Sequence, residues 1–173
     1  WVVDPIDGTK AYVAGTSDWC IGLSIVEEGE AVAGVVYAPA MDQFFHARRG
    51  AGAVRNGAPI RVSARQQEAD MRLITNEGVV THPGWREPWP DLQLARPKPN
   101  ATLLRLALVA AGDWDATLVL SEKADWDIAA GAVLITEAGG HITTHAGERL
   151  VFNQEVPAQR SVLASGKGLH PLL

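Results

Sequence analysis

The sequence predicts an α/β protein in which a hairpin-built sheet is followed by a unit of buried helices and short strands. Three observations carry this reading. Two β-rich runs near the N-terminus are joined by a short polar turn, an Asn-Gly pair stands between short apolar segments, and two later apolar runs follow a helical period and stop at glycine.

In chain order, Asp4 to Thr9 reads as the exit of a strand, with a helix start at Gly8-Thr9. Trp19 to Glu27 and Ala31 to Ala38, separated by Glu28, Gly29 and Glu30, form an antiparallel hairpin. Phe44 to Ala47 adds a short strand. Asn56-Gly57, between Val54 and Ile60, is the pair a tight hairpin turn prefers, because both turn positions need positive φ. Met71 to Thr75 is a further strand, and the stretch up to Asn100, with five prolines plus Trp85 and Trp89, reads as a linker or lid. Helices follow over Thr102 to Ala111, closed by Gly112, and over Asp127 to Ala138, closed by Gly139-Gly140. Strands at His141 to Thr144 and Ser161 to Ala164 complete the α/β unit.

Composition excludes several functions. With 47% apolar residues the chain can build a core, and its net charge of -5, with no basic run longer than Arg48-Arg49, offers no stripe for a nucleic-acid polymer. The apolar run Leu103 to Ala111 is interrupted by Arg105 and is far short of the roughly 20 residues that span a bilayer. Cys20 is the only cysteine, so no internal disulfide and no zinc-site spacing exists, which fits a reducing, cytoplasmic setting.

Asp4-Pro-Ile-Asp7-Gly-Thr9 places two carboxylates three residues apart, directly before a glycine and a hydroxyl. Magnesium takes oxygen ligands, so Asp4, Asp7 and the carbonyl of Ile6 could hold a pair of ions about 4 Å apart. Gly8 and Thr9 would present backbone N–H groups to a phosphate. Taken alone, the hexapeptide reads rather as a turn with a helix cap, and Asp127, following Trp126, as an N-cap. Cys20 reads as strand core. His141 and His145 do not share a helical face, and neither stands as a nucleophile.

Together, Trp1-Val-Val-Asp-Pro-Ile-Asp-Gly-Thr9, Trp126-Asp-Ile-Ala-Ala-Gly131 and Glu137-Ala-Gly-Gly140 resemble the paired signature of the inositol monophosphatase superfamily. The resemblance implies a layered α-β-α-β-α sandwich, here lacking its N-terminal helices and first strands. Residues 1–85 would be the remainder of an N-terminal metal-binding domain, 86–100 a linker or lid, and 101–173 a C-terminal α/β domain. It also implies a magnesium-dependent phosphomonoesterase with two or three ions. Asp4 would bridge, Ile6 would lend its carbonyl, and Asp7 and Asp127 would bind the second ion. Thr9 would orient the attacking water, and Gly8 with Thr9 would hold phosphate. The family's water-activating glutamate lies before the strand that ends at Asp4, so the chain is read as N-terminally truncated and the isolated fragment as poorly active.

Lys10 resembles the 3'(2'),5'-bisphosphate nucleotidase branch, as does the length of the run Asp115 to Trp126. Where inositol enzymes place a sugar-reading glutamate, this chain has Val119 or Leu120, with Glu122 nearby. Thr102 keeps the hydroxyl of a Gly-Ser pair that opens the corresponding helix in relatives. The expected substrate is 3'-phosphoadenosine 5'-phosphate, with inositol 1-phosphate and histidinol phosphate as alternatives. The reading of another class is a non-catalytic, metal-stabilised α/β module. A small phosphorylated metabolite is the expected partner, and a homodimer is left open.

Overall fold

The computed structural model describes residues 1–173. Strand β1 (Val2–Asp7) leads into a five-residue helix, α1 (Thr9–Val13), and then into the hairpin β2 (Cys20–Glu27) and β3 (Glu30–Ala38). Strands β4 (Gln43–Arg48), β5 (Ala53–Arg55) and β6 (Ala58–Ile60) complete an antiparallel sheet in the order β1 to β6. At the β5–β6 turn, Asn56 and Gly57 have φ of 48° and 82°, the left-handed geometry that an Asn-Gly pair favours.

The chain continues with β7 (Arg72–Leu73), helix α2 (Glu77–Val80), β8 (Gln93–Leu94), helix α3 (Thr102–Ala110), β9 (Ala116–Val119) and β10 (Lys123–Ala124). Helix α4 (Ala129–Glu137), β11 (Gly140–Thr143), β12 (Ala158–Gln159) and β13 (Val162–Gly166) follow. A five-stranded sheet has the order β11-β13-β9-β7-β8, and β10 pairs with β12 separately. Residues 86–100, expected as a linker or lid, carry β8, which pairs parallel to β7 at the edge of this sheet. The two sheets therefore part between β6 and β7.

Helices α3 and α4 lie between the two sheets. One core of 30 buried residues joins Val36 and Phe45 of the first sheet, Leu104 and Leu134 of the helices, and Val162 and Ala164 of the second sheet. Every residue of α3 is buried, as a helix in a middle layer requires. Leu103, Leu104 and Leu106 are fully buried, each contributing about 1.5–3 kcal/mol. The approach is close: a Cβ on Gly131 would lie 2.6 Å from Cβ of Leu106, and one on Gly34 would lie 2.9 Å from the Ala130 backbone.

The observed layering is sheet, helices, sheet, a mixed α/β sandwich. Val79, Leu118 and Leu163, with Trp85 and Trp89, pack on the outer side of the second sheet. Strands of the first sheet leave Val3, Leu23, Ile25, Tyr37 and Phe44 between 36% and 48% exposed. Cys20 is buried, and burial pushes its thiol up, away from reactivity. No helix is long and apolar enough to cross a membrane.

Candidate active site

The end of β1 brings Asp4 and Asp7 to one side. In a regular strand, residues three apart face opposite ways. Here the pairing with β2 shifts between Asp4 and Asp7, so a bulge around Pro5 and Ile6 turns both buried carboxylates inward. Proline donates no backbone hydrogen bond, which suits it to this interruption. The Ile6 N–H donates to Asp4 Oδ1 at 3.0 Å, and the Thr9 hydroxyl donates to the Ile6 carbonyl at 3.1 Å. Gly8 then turns the chain at φ 86°, where a Cβ would lie 3.0 Å from the Asp18 carbonyl oxygen.

Asp127 closes the group from the other end of the sequence. It ends a 3-10 turn, Asp125–Asp127, and its Oδ2 accepts from the Ala124 N–H at 3.2 Å. Neighbouring Asp125 is buried and accepts from Asn153 N–H and Gln159 Nε2, which pins this turn. Carboxylate oxygens of Asp4, Asp7 and Asp127 all lie within 4.8 Å of one another.

Electrostatics agree with a cation site. Burial pushes the Asp4 carboxyl above its ordinary range, the Ile6 N–H opposing and the Asp127 charge adding. Burial pushes Asp7 up to about 7, with Asp4 and Asp127 adding to the rise and the Leu103 N–H and Arg105 opposing it. None of the three forms an ion pair with a basic side chain. Three clustered acidic groups with no direct ion pair are a donor set suited to magnesium, which takes oxygen ligands. They could hold it together with the Ile6 carbonyl.

Beside this group lies a pocket of about 340 Å³. Gly8, Thr9 and Lys10 form one wall, Val119 lies in it, and Lys98, Arg105 and Lys123 also reach it. No carboxylate lines it. Val119 meets the pocket whereas Leu120 packs with the outer cluster around Leu118, and Glu122 is not part of the wall. Thr102, expected as a substrate contact, is buried and accepts from Arg105 Nη2 at 3.0 Å. Helix α1 has only five residues, so its dipole is small, but Thr9 and Lys10 precede the first intrahelical donors, Ala11 and Tyr12.

Residues 1–173 match the inositol monophosphatase family throughout. The chain belongs to that family. Among curated relatives, it is 36% identical over 85% of its length to the Nus factor SuhB of Xylella fastidiosa. It is 34% identical over 94% of its length to an inositol-1-monophosphatase of Mesorhizobium japonicum. The chain spans 55% and 64% of the lengths of these two relatives. The SuhB structure from Bartonella henselae superposes with a TM-score of 0.81 at 28% identity, covering 99% of this chain and 69% of that one.

In this member of the inositol monophosphatase family the two motifs bring Asp4, Asp7 and Asp127 together, while the names of the relatives do not favour the nucleotidase branch. Sequence reasoning missed the pocket cations Lys98, Arg105 and Lys123. Arg105 had a visible signal, a lone charge in an otherwise apolar helix. Glu137 was also missed as a clamp: its two oxygens accept from Gly50 N–H at 2.9 Å and Gly52 N–H at 2.8 Å, which ties α4 to the first sheet.

Proposed function

We propose that this protein is a magnesium-dependent phosphomonoesterase acting on a small phosphorylated metabolite. The observation that carries the reading is the convergence of Asp4, Asp7 and Asp127, three carboxylates without ion-paired basic partners, next to Gly8 and Thr9 of a cationic pocket. When bound, magnesium supplies positive charge that stabilises the attacking and leaving oxygens of an in-line displacement at phosphorus.

The chain's own groups divide the remaining work. Asp4, Asp7, Asp127 and the Ile6 carbonyl are the ligand set. Thr9 already donates its hydroxyl proton to Ile6, so its oxygen is free to accept from an attacking water and to orient it. The N–H groups of Gly8 and Thr9 are proposed to meet phosphoryl oxygens, and Lys10 flanks them. Burial of the site excludes bulk water from Asp4 and Asp7.

For the substrate, 3'-phosphoadenosine 5'-phosphate, cleaved to AMP and phosphate, is favoured by the pocket: Val119 offers no acceptor to polyol hydroxyls, and the cations suit a doubly phosphorylated molecule. The names of the relatives favour inositol 1-phosphate. A phosphate-release panel on these two esters and histidinol phosphate, run with the full-length protein, tests the reading. Magnesium-dependent release from at least one supports it. No release from any, with no thermal shift by magnesium, would favour a non-catalytic module.

A further inference from the structure

We propose that Asp18 is a positioning residue for phosphoryl binding: it seats residues 98–100 and the start of α3 against the Gly8-Thr9 turn, and so sets the geometry of the pocket that the turn borders. Its effect on turnover rests on the phosphomonoesterase reading, whereas its effect on anion binding does not.

Asp18 lies in the loop between α1 and β2, and its two carboxylate oxygens are divided between two segments. Oδ1 accepts from the Thr16 hydroxyl at 2.6 Å, and Oδ2 accepts from the backbone N–H of Asn100 at 3.0 Å, across 82 positions of sequence. Thr16 is itself tied to α1, its N–H donating to the Ala11 carbonyl at 3.0 Å. Asp18 therefore joins α1 to the residue just before Ala101, the cap position of α3. Burial alone would raise its carboxyl, but the bonds from Thr16 and Asn100, with the Lys98 charge adding, outweigh burial and hold it below its ordinary range. An ionised acceptor makes these bonds stronger than neutral ones.

The turn proposed to meet phosphate is wedged behind this link. A Cβ on Gly8 would lie 3.0 Å from the Asp18 carbonyl oxygen, 3.3 Å from Trp19 Cα and 3.1 Å from Ala101 Cβ, so the turn touches both segments that Asp18 joins. Asp7 makes a matching bond one step further on, to the Leu103 N–H, so Asn100 and Leu103 are each held by a carboxylate, one on either side of Ala101-Thr102. The two carboxylates differ in their other duties. Asp7 belongs to the acidic group suited to a cation, and Asp18 does not. Lys98 and Asn100 line the pocket together with Gly8, Thr9 and Lys10. Freeing Asn100 would let that wall shift relative to the turn, and a displacement of about 1 Å in groups that hold a substrate can cost about 100-fold.

The test compares the full-length protein with its Asp18→Ala and Asp18→Asn variants at saturating magnesium. Asparagine keeps an oxygen for the Asn100 N–H, and the Thr16 hydroxyl has a second acceptor in the Ala11 carbonyl at 3.3 Å. On the preferred ester, Asp18→Ala should raise KM at least about tenfold with kcat changed less than about threefold, and Asp18→Asn should return KM to within about threefold. A merely structural contact would lower the melting temperature without this split or this rescue. The deciding arm is calorimetric titration of inorganic phosphate, whose Kd should rise at least about tenfold in Asp18→Ala and stay within about threefold in Asp18→Asn. No phosphate binding by the unaltered protein, an unchanged Kd in Asp18→Ala, or an equal loss in both variants overturns the positioning role. If no ester is hydrolysed while the phosphate Kd still follows the expected order, the phosphatase reading falls and the positioning role stands.

Discussion

Asp7 Oδ2 accepts a 2.6 Å hydrogen bond from the backbone N–H of Leu103, which fastens the end of β1 to the first turn of α3. Leu103 lies in the turn whose N–H groups have no intrahelical partner, and Ala101, at the cap position, has no side-chain acceptor. Asp7 therefore serves as a cap borrowed from 96 residues away, as well as one of the proposed metal ligands. The same helix carries Arg105, so one contact sets the three aspartates and the cationic pocket relative to each other.

This double role can be separated by substitution. Asp7→Asn keeps an oxygen acceptor for Leu103 and loses the charge; Asp7→Ala loses both. In EDTA, Asp7→Asn should be more stable than Asp7→Ala by about 1 kcal/mol in urea denaturation. Equal stability would show that the Leu103 bond contributes nothing.

Magnesium should raise the melting temperature, and more at pH 8 than at pH 5. Asp7 has its carboxyl raised to about 7 in the metal-free chain, so a cation must displace a proton below that pH and binds without that cost above it. Thermal melts with magnesium or EDTA at both pH values check this. A shift that is equal at both would contradict the assigned role of Asp7.

Gly131→Ala should destabilise the protein by about 1–3 kcal/mol. The new Cβ would lie 2.5 Å from the Leu106 Cδ1 tip and also 2.6 Å from its Cβ, which no rotamer change can move away, so the two helices must move apart. The glycine of the second motif is thus a packing requirement. Wild-type stability by denaturant titration would refute this reading.

Acid should weaken the second sheet through Asp115. This carboxylate is 1% exposed and accepts from Arg65 Nε at 3.0 Å, Arg72 N–H at 2.8 Å and Arg72 Nη2 at 2.8 Å. Burial alone would raise it, but the bonds from Arg72 and Ser63 outweigh burial and hold it at about 2, below its ordinary 3.8. Because the folded value is depressed, the contribution is complete above about pH 4 and is lost as pH falls towards 2. It amounts to about 1–2 kcal/mol once the partly exposed arginines are discounted for solvent screening. Asp115→Asn should flatten stability across that window; an unchanged slope would rule the linkage out.

Local pattern carried much of the fold. The β2–β3 hairpin, the Asn56-Gly57 turn and the glycine-stopped helices α3 and α4 all follow from periodicity and turn chemistry within a few residues. Strand β8 was hidden among prolines, because its partner β7 is distant in sequence and the strand has only two residues. The run after Asp115 holds β9, whose partners are likewise remote in sequence. For the site, the three aspartates were legible because each stands in a motif of unusual composition. Arg105, Lys98 and Lys123 were not, since their meaning depends on a pocket that only the packing of α3 against β1 and β9 creates.

Asp4, Asp7 and Asp127 are proposed to hold magnesium for phosphomonoester hydrolysis. The measurement is phosphate release from the preferred ester with magnesium titrated, for the full-length protein and for its Asp4→Asn variant. The expected result is saturable dependence on magnesium, abolished by EDTA, and a fall in kcat of at least about 10³-fold in Asp4→Asn, since one of the proposed ligands is lost. Near-normal turnover by Asp4→Asn at saturating magnesium would contradict it.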